Sequence, residues 1–358
     1  MEHDEVSPSA AVRKLFEAAP VLEPKSLPSP PKPGAHKRHS LVAIDSMTLL
    51  DLQIAVREAM LGKWLLQQSL NMIHARRGTG KTWFVLGVAV ALSAGVPFLG
   101  WQADRPRRVL LVDGEMPARS LQDRLRQVMD MLGARPAPGF LRIITPDLLG
   151  RASPDLAVLT DQAELDELAE GCDLLILDNL SALIRSGAAE NDAESWVTVS
   201  DWALRHRAAG RSVIFVHHSG KSGAQRGTSR REDLLDVVIA LRQPQNYDAK
   251  DGARFEVTFE KARHLYGDDA ESFEAALDEG EKGGWAVTSI ANNVDDQIVE
   301  RLGLGLSLSE IGRELGLHKS NVSRRVRDLK ERGVLPASGS TPKLRNTKRN
   351  TRQKSLIP

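Results

Sequence analysis

The run Leu70-Asn71-Met72-Ile73-His74 is apolar enough for a buried strand, and Ala75-Arg76-Arg77-Gly78-Thr79-Gly80-Lys81-Thr82 follows it directly. After Thr82 the chain continues as a long apolar stretch opening with Trp83. A strand, a glycine-rich turn and a helix in that order confine the chain to α/β folds with a parallel sheet. The turn exposes successive backbone N–H groups at a helix start, which is a cradle for phosphate oxygens. Residues 75–83 are therefore the candidate nucleotide-binding segment, with Lys81 reaching the β- and γ-phosphates of ATP and the Thr82 hydroxyl available to Mg²⁺. Ala75 stands where this motif usually begins with glycine, and alanine tolerates fewer backbone angles.

Other apolar runs alternate with amphipathic ones over roughly residues 45–290. Val109-Leu110-Leu111-Val112, Leu174-Leu175-Ile176-Leu177 and Ser212-Val213-Ile214-Phe215-Val216 are strand candidates. Helical periodicity fills Ser120 to Leu132 and Trp196 to Ala209 between them. Strands alternating with helices predict a mainly parallel sheet covered on both faces. Phe255 to Glu260 and Trp285 to Ile290 suit antiparallel strands at the sheet's far edge. Trp83 to Ala103 is uncharged and long enough to span a bilayer. Its glycines, serine and proline, and its start inside the loop, favour a buried helix instead, so no membrane partner is expected. One cysteine, Cys172, and an amino terminus without a signal layout suit a reducing cytoplasm.

In parallel sheets ligands gather at the carboxyl ends of strands, so the polar residues closing each run are candidates. Asp113 and Glu115 follow the first run; a glutamate there can polarise an attacking water, while Asp113 could orient or cap. Asp178 closes the second and would hold Mg²⁺. His217 and His218 close the third, where a polar group can touch the γ-phosphate. Lys221, Arg226, Arg230 and Arg231 lie in the polar stretch that follows and suit a nucleic-acid backbone, or one arginine could stabilise transition-state charge. Alternation puts Lys261 and Arg263 on one face. Solvated surface charge is the bland alternative for both groups.

The order of these motifs resembles the RecA/DnaB-type core, and is most similar to the plasmid and mobile-element AAA-family ATPases related to RepA-type hexameric replicative helicases. The resemblance spans about residues 50–280. It implies Glu115 as catalytic glutamate, Asp178 as the metal-site aspartate, His217 and His218 as γ-phosphate sensors, and Arg226 or the Lys261/Arg263 pair reaching a neighbouring subunit's nucleotide. It further implies a homo-oligomeric, hexameric ring with single-stranded DNA in a central channel.

The chain's net charge of +1 hides an asymmetry. From Leu317 to Pro358 there are twelve Lys/Arg and two Asp/Glu, so the rest carries a net −9. Within this basic end, Asp296 to Leu302, Leu306 to Leu317 and His318 to Leu329 read as three helices. Ser307 or Ser309 would cap the second and Gly316 marks a turn. Ile311, Leu315, Val322, Val326 and Leu329 form the apolar stripe. The pattern resembles a helix-turn-helix of the winged-helix kind, which implies duplex DNA as a partner. Lys319, Ser320, Asn321, Ser323 and Arg324 are then apt for base edges and phosphates. A three-helix protein-docking module shares the same stripe.

The sequence thus predicts a flexible arm over residues 1–44, a RecA-like α/β ATPase domain over 45–291, a small all-α domain over 295–336 after a junction at Asn292 to Asp295, and a basic tail over 337–358. Its leading functional reading is an ATP-hydrolysing DNA motor. An ATP-switched transcription or partition regulator is the alternative. A small-molecule kinase would share the phosphate loop but not the basic end.

Overall fold

The computed structural model describes residues 43–185, 193–219, 232–244, 246–278 and 283–336. The predicted arm up to residue 42, the tail after Pro336, and Lys221, Arg226, Arg230 and Arg231 lie outside the described residues. In chain order the elements are α1 (Ser46–Asp51), β1 (Ala59–Leu61), β2 (Leu65–Leu66), β3 (Leu70–Ala75), α2 (Lys81–Ala94), β4 (Val109–Asp113), α3 (Ala118–Leu132), β5 (Leu141–Ile144), α4 (Pro146–Leu149), α5 (Leu159–Leu168), β6 (Leu174–Asp178), α6 (Leu180–Leu183), α7 (Ala193–Ala208), β7 (Ser212–His218), β8 (Val237–Arg242), β9 (Arg254–Ala262), β10 (Phe273–Asp278), β11 (Gly284–Ser289), α8 (Ile290–Gly303), α9 (Leu308–Glu314) and α10 (Lys319–Glu331).

Apart from a β1–β2 hairpin, the strands form one sheet in the order β11-β10-β9-β8-β3-β7-β6-β4-β5. From β5 to β8 neighbouring strands are parallel, and from β8 to β11 they are antiparallel. The parallel part is apolar along whole strands because helices cover both faces. Alternate residues of β3, β4, β6 and β7 enter two cores. One, with Ile73, Val109, Leu111, Ile176 and Ile214, lies under α2 and α3. The other, with Met72, Leu110, Val112, Leu177 and Phe215, lies under α5 and α7.

α2 is wedged into the first core, which is why its sequence is apolar all round. It ends at Gly95, which takes φ +71 to cap it. No helix among the described residues is long and apolar enough to cross a membrane.

Two differences from the sequence expectation have local causes. Ile290 starts α8 rather than ending a strand, and the polar run Asn292 to Asp295, expected as a junction, lies inside that helix. Val294 and Ile298 from α8 pack into the cluster of the last three helices, which also buries Ile311, Val322 and Leu329; that anchoring continues the helix through the polar run. The second module helix starts at Ser307, whose side chain accepts from the Glu310 N–H while Glu310 returns to the Ser307 N–H. Among the described residues no strand follows α10.

Candidate active site

β3 ends at Ala75, which remains in the ladder opposite Leu241 of β8 and His218 of β7. An alanine therefore fits the position where the motif usually has glycine, since ladder geometry asks for no positive φ. Two loop glycines do need it: Gly78 has φ 82 and Gly80 φ 104. A Cβ on Gly80 would also lie 2.9 Å from the Phe255 ring. Phe255 comes from β9, so the far side of the sheet presses on the loop's last turn.

The loop opens into a cavity of about 560 Å³. Arg76, Arg77, Gly78, Gly80, Lys81, Thr82 and Trp83 line it, while Ala75 and Thr79 are buried behind. From the neighbouring strand ends come Asp113, Glu115, Asp178 and His218. The Lys81 ammonium lies 3.9 Å from an Asp178 carboxylate oxygen and donates to His218 Nδ1 at 3.1 Å. That leaves the proton of a neutral ring on Nε2, which lies 3.5 Å from a Glu115 oxygen. The phosphate loop and the ends of β4, β6 and β7 thus meet within one polar cluster.

Burial pushes the Lys81 pKa down, against the pull of Asp178 and Glu115. Burial pushes Asp178 up, opposed by Lys81 and reinforced by Glu115. It raises Asp113 to about 6. Asp113 accepts the Met116 N–H at 3.0 Å, so it shapes the turn that carries Glu115. For Glu115, 46% exposed, burial works upward, but hydrogen bonds from Asn179 and His218 and the Lys81 charge hold it below the ordinary glutamate value. A glutamate kept ionised beside a phosphate cradle can accept a proton from water. Burial first, and then Lys81, holds His218 below the ordinary histidine value. It stays neutral and can both accept and donate.

The two adjacent histidines separate. His218 lines the cavity, whereas His217 is fully buried in register with His74; successive strand residues face opposite ways, so only His218 is placed to meet a phosphate. Lys261 and Arg263 lie at the far end of the sheet, where Val237, at the start of β8, pairs with Ala262. They bond the backbone carbonyls of Glu232 and Asp233 and do not line this chain's cavity.

Two cavity residues carried no sequence signal. Asn179 places its amide nitrogen 3.2 Å from His218 Nε2 and caps α6 through the Ala182 N–H. Arg124 of α3 sits over the Trp83 ring, 5.9 Å from its centre. Neither belongs to a spacing motif, because each reaches the cavity only through the packing of its own element.

The donor set suits Mg²⁺. Thr82 and Asp178 offer hard oxygens, and among the described residues no cluster of three or more acidic, histidine or cysteine side chains forms a self-contained metal cage. Mg²⁺ is commonly held by one or two protein oxygens with phosphates and water completing the shell.

In the last three helices, Lys319, Ser320, Asn321, Ser323 and Arg324 are all exposed or nearly so on α10. His318 caps that helix, accepting from the Ser320 N–H and hydroxyl. Asp295 of α8, 7% exposed, binds Arg325 at 2.9 Å and Arg332 at 2.5 Å, fastening α10 at its middle and its end. A Cβ on Gly312 would meet the Leu317 carbonyl at 2.6 Å, so only glycine allows the turn to close on α9.

Residues 37–224, just over half the chain, match the AAA domain family, and residues 297–336 match the IclR helix-turn-helix domain. Similar solved structures include the ATPase domain of a DnaB-like helicase, 14% identical over 62% of this chain and 85% of that one, with TM-score 0.43. Another is the KaiC-like protein PH0186 from the hyperthermophilic archaeon Pyrococcus horikoshii OT3, 15% identical over 64% and 93%, also with TM-score 0.43. No curated protein matches the chain.

Proposed function

The chain belongs to the AAA domain family, and from that premise we propose that it is an ATP-hydrolysing DNA motor, a ring-forming helicase of the RepA kind that serves replication or maintenance of a plasmid or mobile element. The observation that carries this is the convergence of Glu115 and His218 on the Lys81 ammonium at the mouth of a phosphate loop. Loop amides and Lys81 hold the β- and γ-phosphates. Glu115 orients the attacking water and takes its proton. His218, already bonded to Lys81, exchanges that contact for the γ-phosphate and carries its presence or loss into β7. Thr82 and Asp178 hold Mg²⁺, which supplies charge neutralisation on the phosphate oxygens.

A ring is supported by two features. Residues 44–56 expose Ile44, Met47, Leu49, Leu50, Leu52, Ile54 and Val56, more contiguous apolar surface than a monomer usually leaves in water. Lys261 and Arg263 stand away from their own nucleotide, placed to serve a neighbour's, as Arg226 also could. The exposed face of α10 would recruit the ring to duplex DNA, and Lys221, Arg230 and Arg231 would follow single-stranded DNA in the channel.

Hydrolysis of ATP with and without single-stranded DNA, run beside unwinding of a forked duplex, tests the proposal. Stimulation by single strands with strand separation is expected. Absence of hydrolysis would reject the pocket's assignment. Hydrolysis with nucleotide-dependent duplex binding but no unwinding would favour the regulator reading, which the IclR-type match supports.

A further inference from the structure

His74 is the residue before Ala75, yet it faces away from the nucleotide cavity. Its side chain is 1% exposed, and both ring nitrogens are engaged. Nδ1 lies 2.8 Å from Ser219 Oγ, and Nε2 lies 2.7 Å from Glu260 Oε2. A carboxylate only accepts, so Nε2 carries the proton and Nδ1 of the neutral ring accepts from the Ser219 hydroxyl.

Glu260 reaches His74 by a backbone irregularity. In the β8–β9 ladder Ile239 pairs with Phe259 but Val238 pairs with Lys261, so Glu260 is the extra residue of a bulge. Bulges re-aim side chains and gather beside functional sites. The residue of β8 opposite His74 is Ala240, whose methyl leaves room for a carboxylate to cross from β9 to β3. Arg242 holds the other Glu260 oxygen at 2.6 Å. The His74 hydrogen bond, more than any other contact, holds Glu260 below the ordinary glutamate value.

At its other end the brace grips Ser219, whose N–H also donates to the Ala75 carbonyl at 2.9 Å. Ser219 directly follows His218. A buried polar network of this kind fixes geometry rather than adding much stability. The geometry it fixes is the end of β7.

We propose that His74 is a positioning residue for hydrolysis: through Ser219, and anchored by Glu260, it holds His218 against Lys81 and Glu115. This rests on the hydrolytic reading of the cavity. Phosphate binding by loop amides does not need the brace, so its loss acts on turnover.

The test measures kcat, KM and calorimetric nucleotide affinity for the full chain and for His74→Ala, Ser219→Ala and His74→Gln, with His218→Ala as background. His74→Ala and Ser219→Ala should lower kcat about tenfold, the size of losing one or two buried hydrogen bonds. KM and affinity should stay within about twofold. His74→Gln, which keeps a donor and an acceptor, should recover much of the loss. On the His218→Ala background, His74→Ala should add nothing further.

Unchanged kcat in folded His74→Ala and Ser219→Ala overturns the proposal. Affinity falling together with kcat, or a multiplied loss on the His218→Ala background, also overturns it, because the brace would then act on the loop or elsewhere. Should His74→Ala fail to fold, Ser219→Ala, which leaves the His74–Glu260 bond in place, decides alone. A wild-type chain without hydrolysis rejects the cavity's assignment and the brace with it, an outcome recognised before any variant is compared.

Discussion

The phosphate cavity and the face of α10 both present cations, but hold them differently. In the cavity Lys81 is 7% exposed and bonded to His218 with Asp178 beside it. Each group's charge state depends on the others, in a medium where burial magnifies every interaction. On α10 the cations stand in water, and the buried acid Asp295 fastens the helix from behind rather than touching the exposed Lys319 or Arg324. The first arrangement makes single substitutions cooperative and severe; the second makes them additive and sensitive to salt.

The largest expected effect follows from the first half of that contrast. Lys81→Ala should reduce ATP hydrolysis by about 100- to 1,000-fold, since one preorganised cation at the developing charge is lost. Duplex affinity should stay within about twofold. Steady-state hydrolysis and a duplex-binding titration check both, and a comparable loss of duplex affinity would break the separation between the regions.

Ile311→Ala comes next. Ile311 is fully buried in a cluster whose other buried members are Ile298, Val322, Leu329 and Leu335. Removing it should cost about 2–4 kcal/mol, which is most of what so small a core supplies. Duplex binding should collapse while nucleotide hydrolysis without DNA remains. Calorimetry should show the module's transition moving and the core's staying, and a single shared shift would mean the two regions fold as one unit.

Arg324→Ala sharpens the surface half. It should weaken duplex binding by about 1 kcal/mol across sequences and reduce the salt slope by roughly one. A sequence-selective loss would instead place Arg324 on a base edge.

Legibility in the sequence followed the same division. Strand–loop–helix at Leu70 to Thr82 and the acids closing β4 and β6 were readable, because an apolar run stopping at a carboxylate is a local signal. β8 was not, since Val237 to Leu241 carries no motif of its own. Nor was β10, whose Glu274-Ala275-Ala276-Leu277 favours helix until pairing with β9 and β11 overrides it. The doublet His217-His218 names two candidates, but only the position of α2 over one face decides which sees the cavity. Asn179, Arg124 and His74 act through residues distant in sequence, so their contribution exists only after the sheet has formed. In the module the reverse held: the stripe Ile311, Leu315, Val322, Val326 and Leu329 was local and readable, while the junction at Asn292 to Asp295 was misjudged because its helicity comes from Val294 and Ile298 seated in the module's core.

The smallest effect is expected where the two regions meet. Glu256 of β9 pairs across the ladder with Glu274 of β10, and both line a cleft of about 550 Å³ whose other wall includes Arg301, Glu314 and Leu317 of the module. Burial first, then the Glu274 charge, raises the Glu256 pKa. The charged form is therefore penalised in the folded chain. Stability is full below the ordinary glutamate pKa and falls as pH rises through the raised value. Glu256→Gln removes the penalty, so it should stabilise the chain at about pH 8 and do nothing at about pH 4. Solvent screening limits the gain to roughly 0.5 kcal/mol, or about 1 °C. Thermal melts across that range check the sign, and a gain independent of pH would trace the effect to packing in the cleft instead of charge. If the melt also sharpens for the module's transition, the carboxylate pair is what loosens the module's seat, and the two regions are coupled by repulsion rather than by contact.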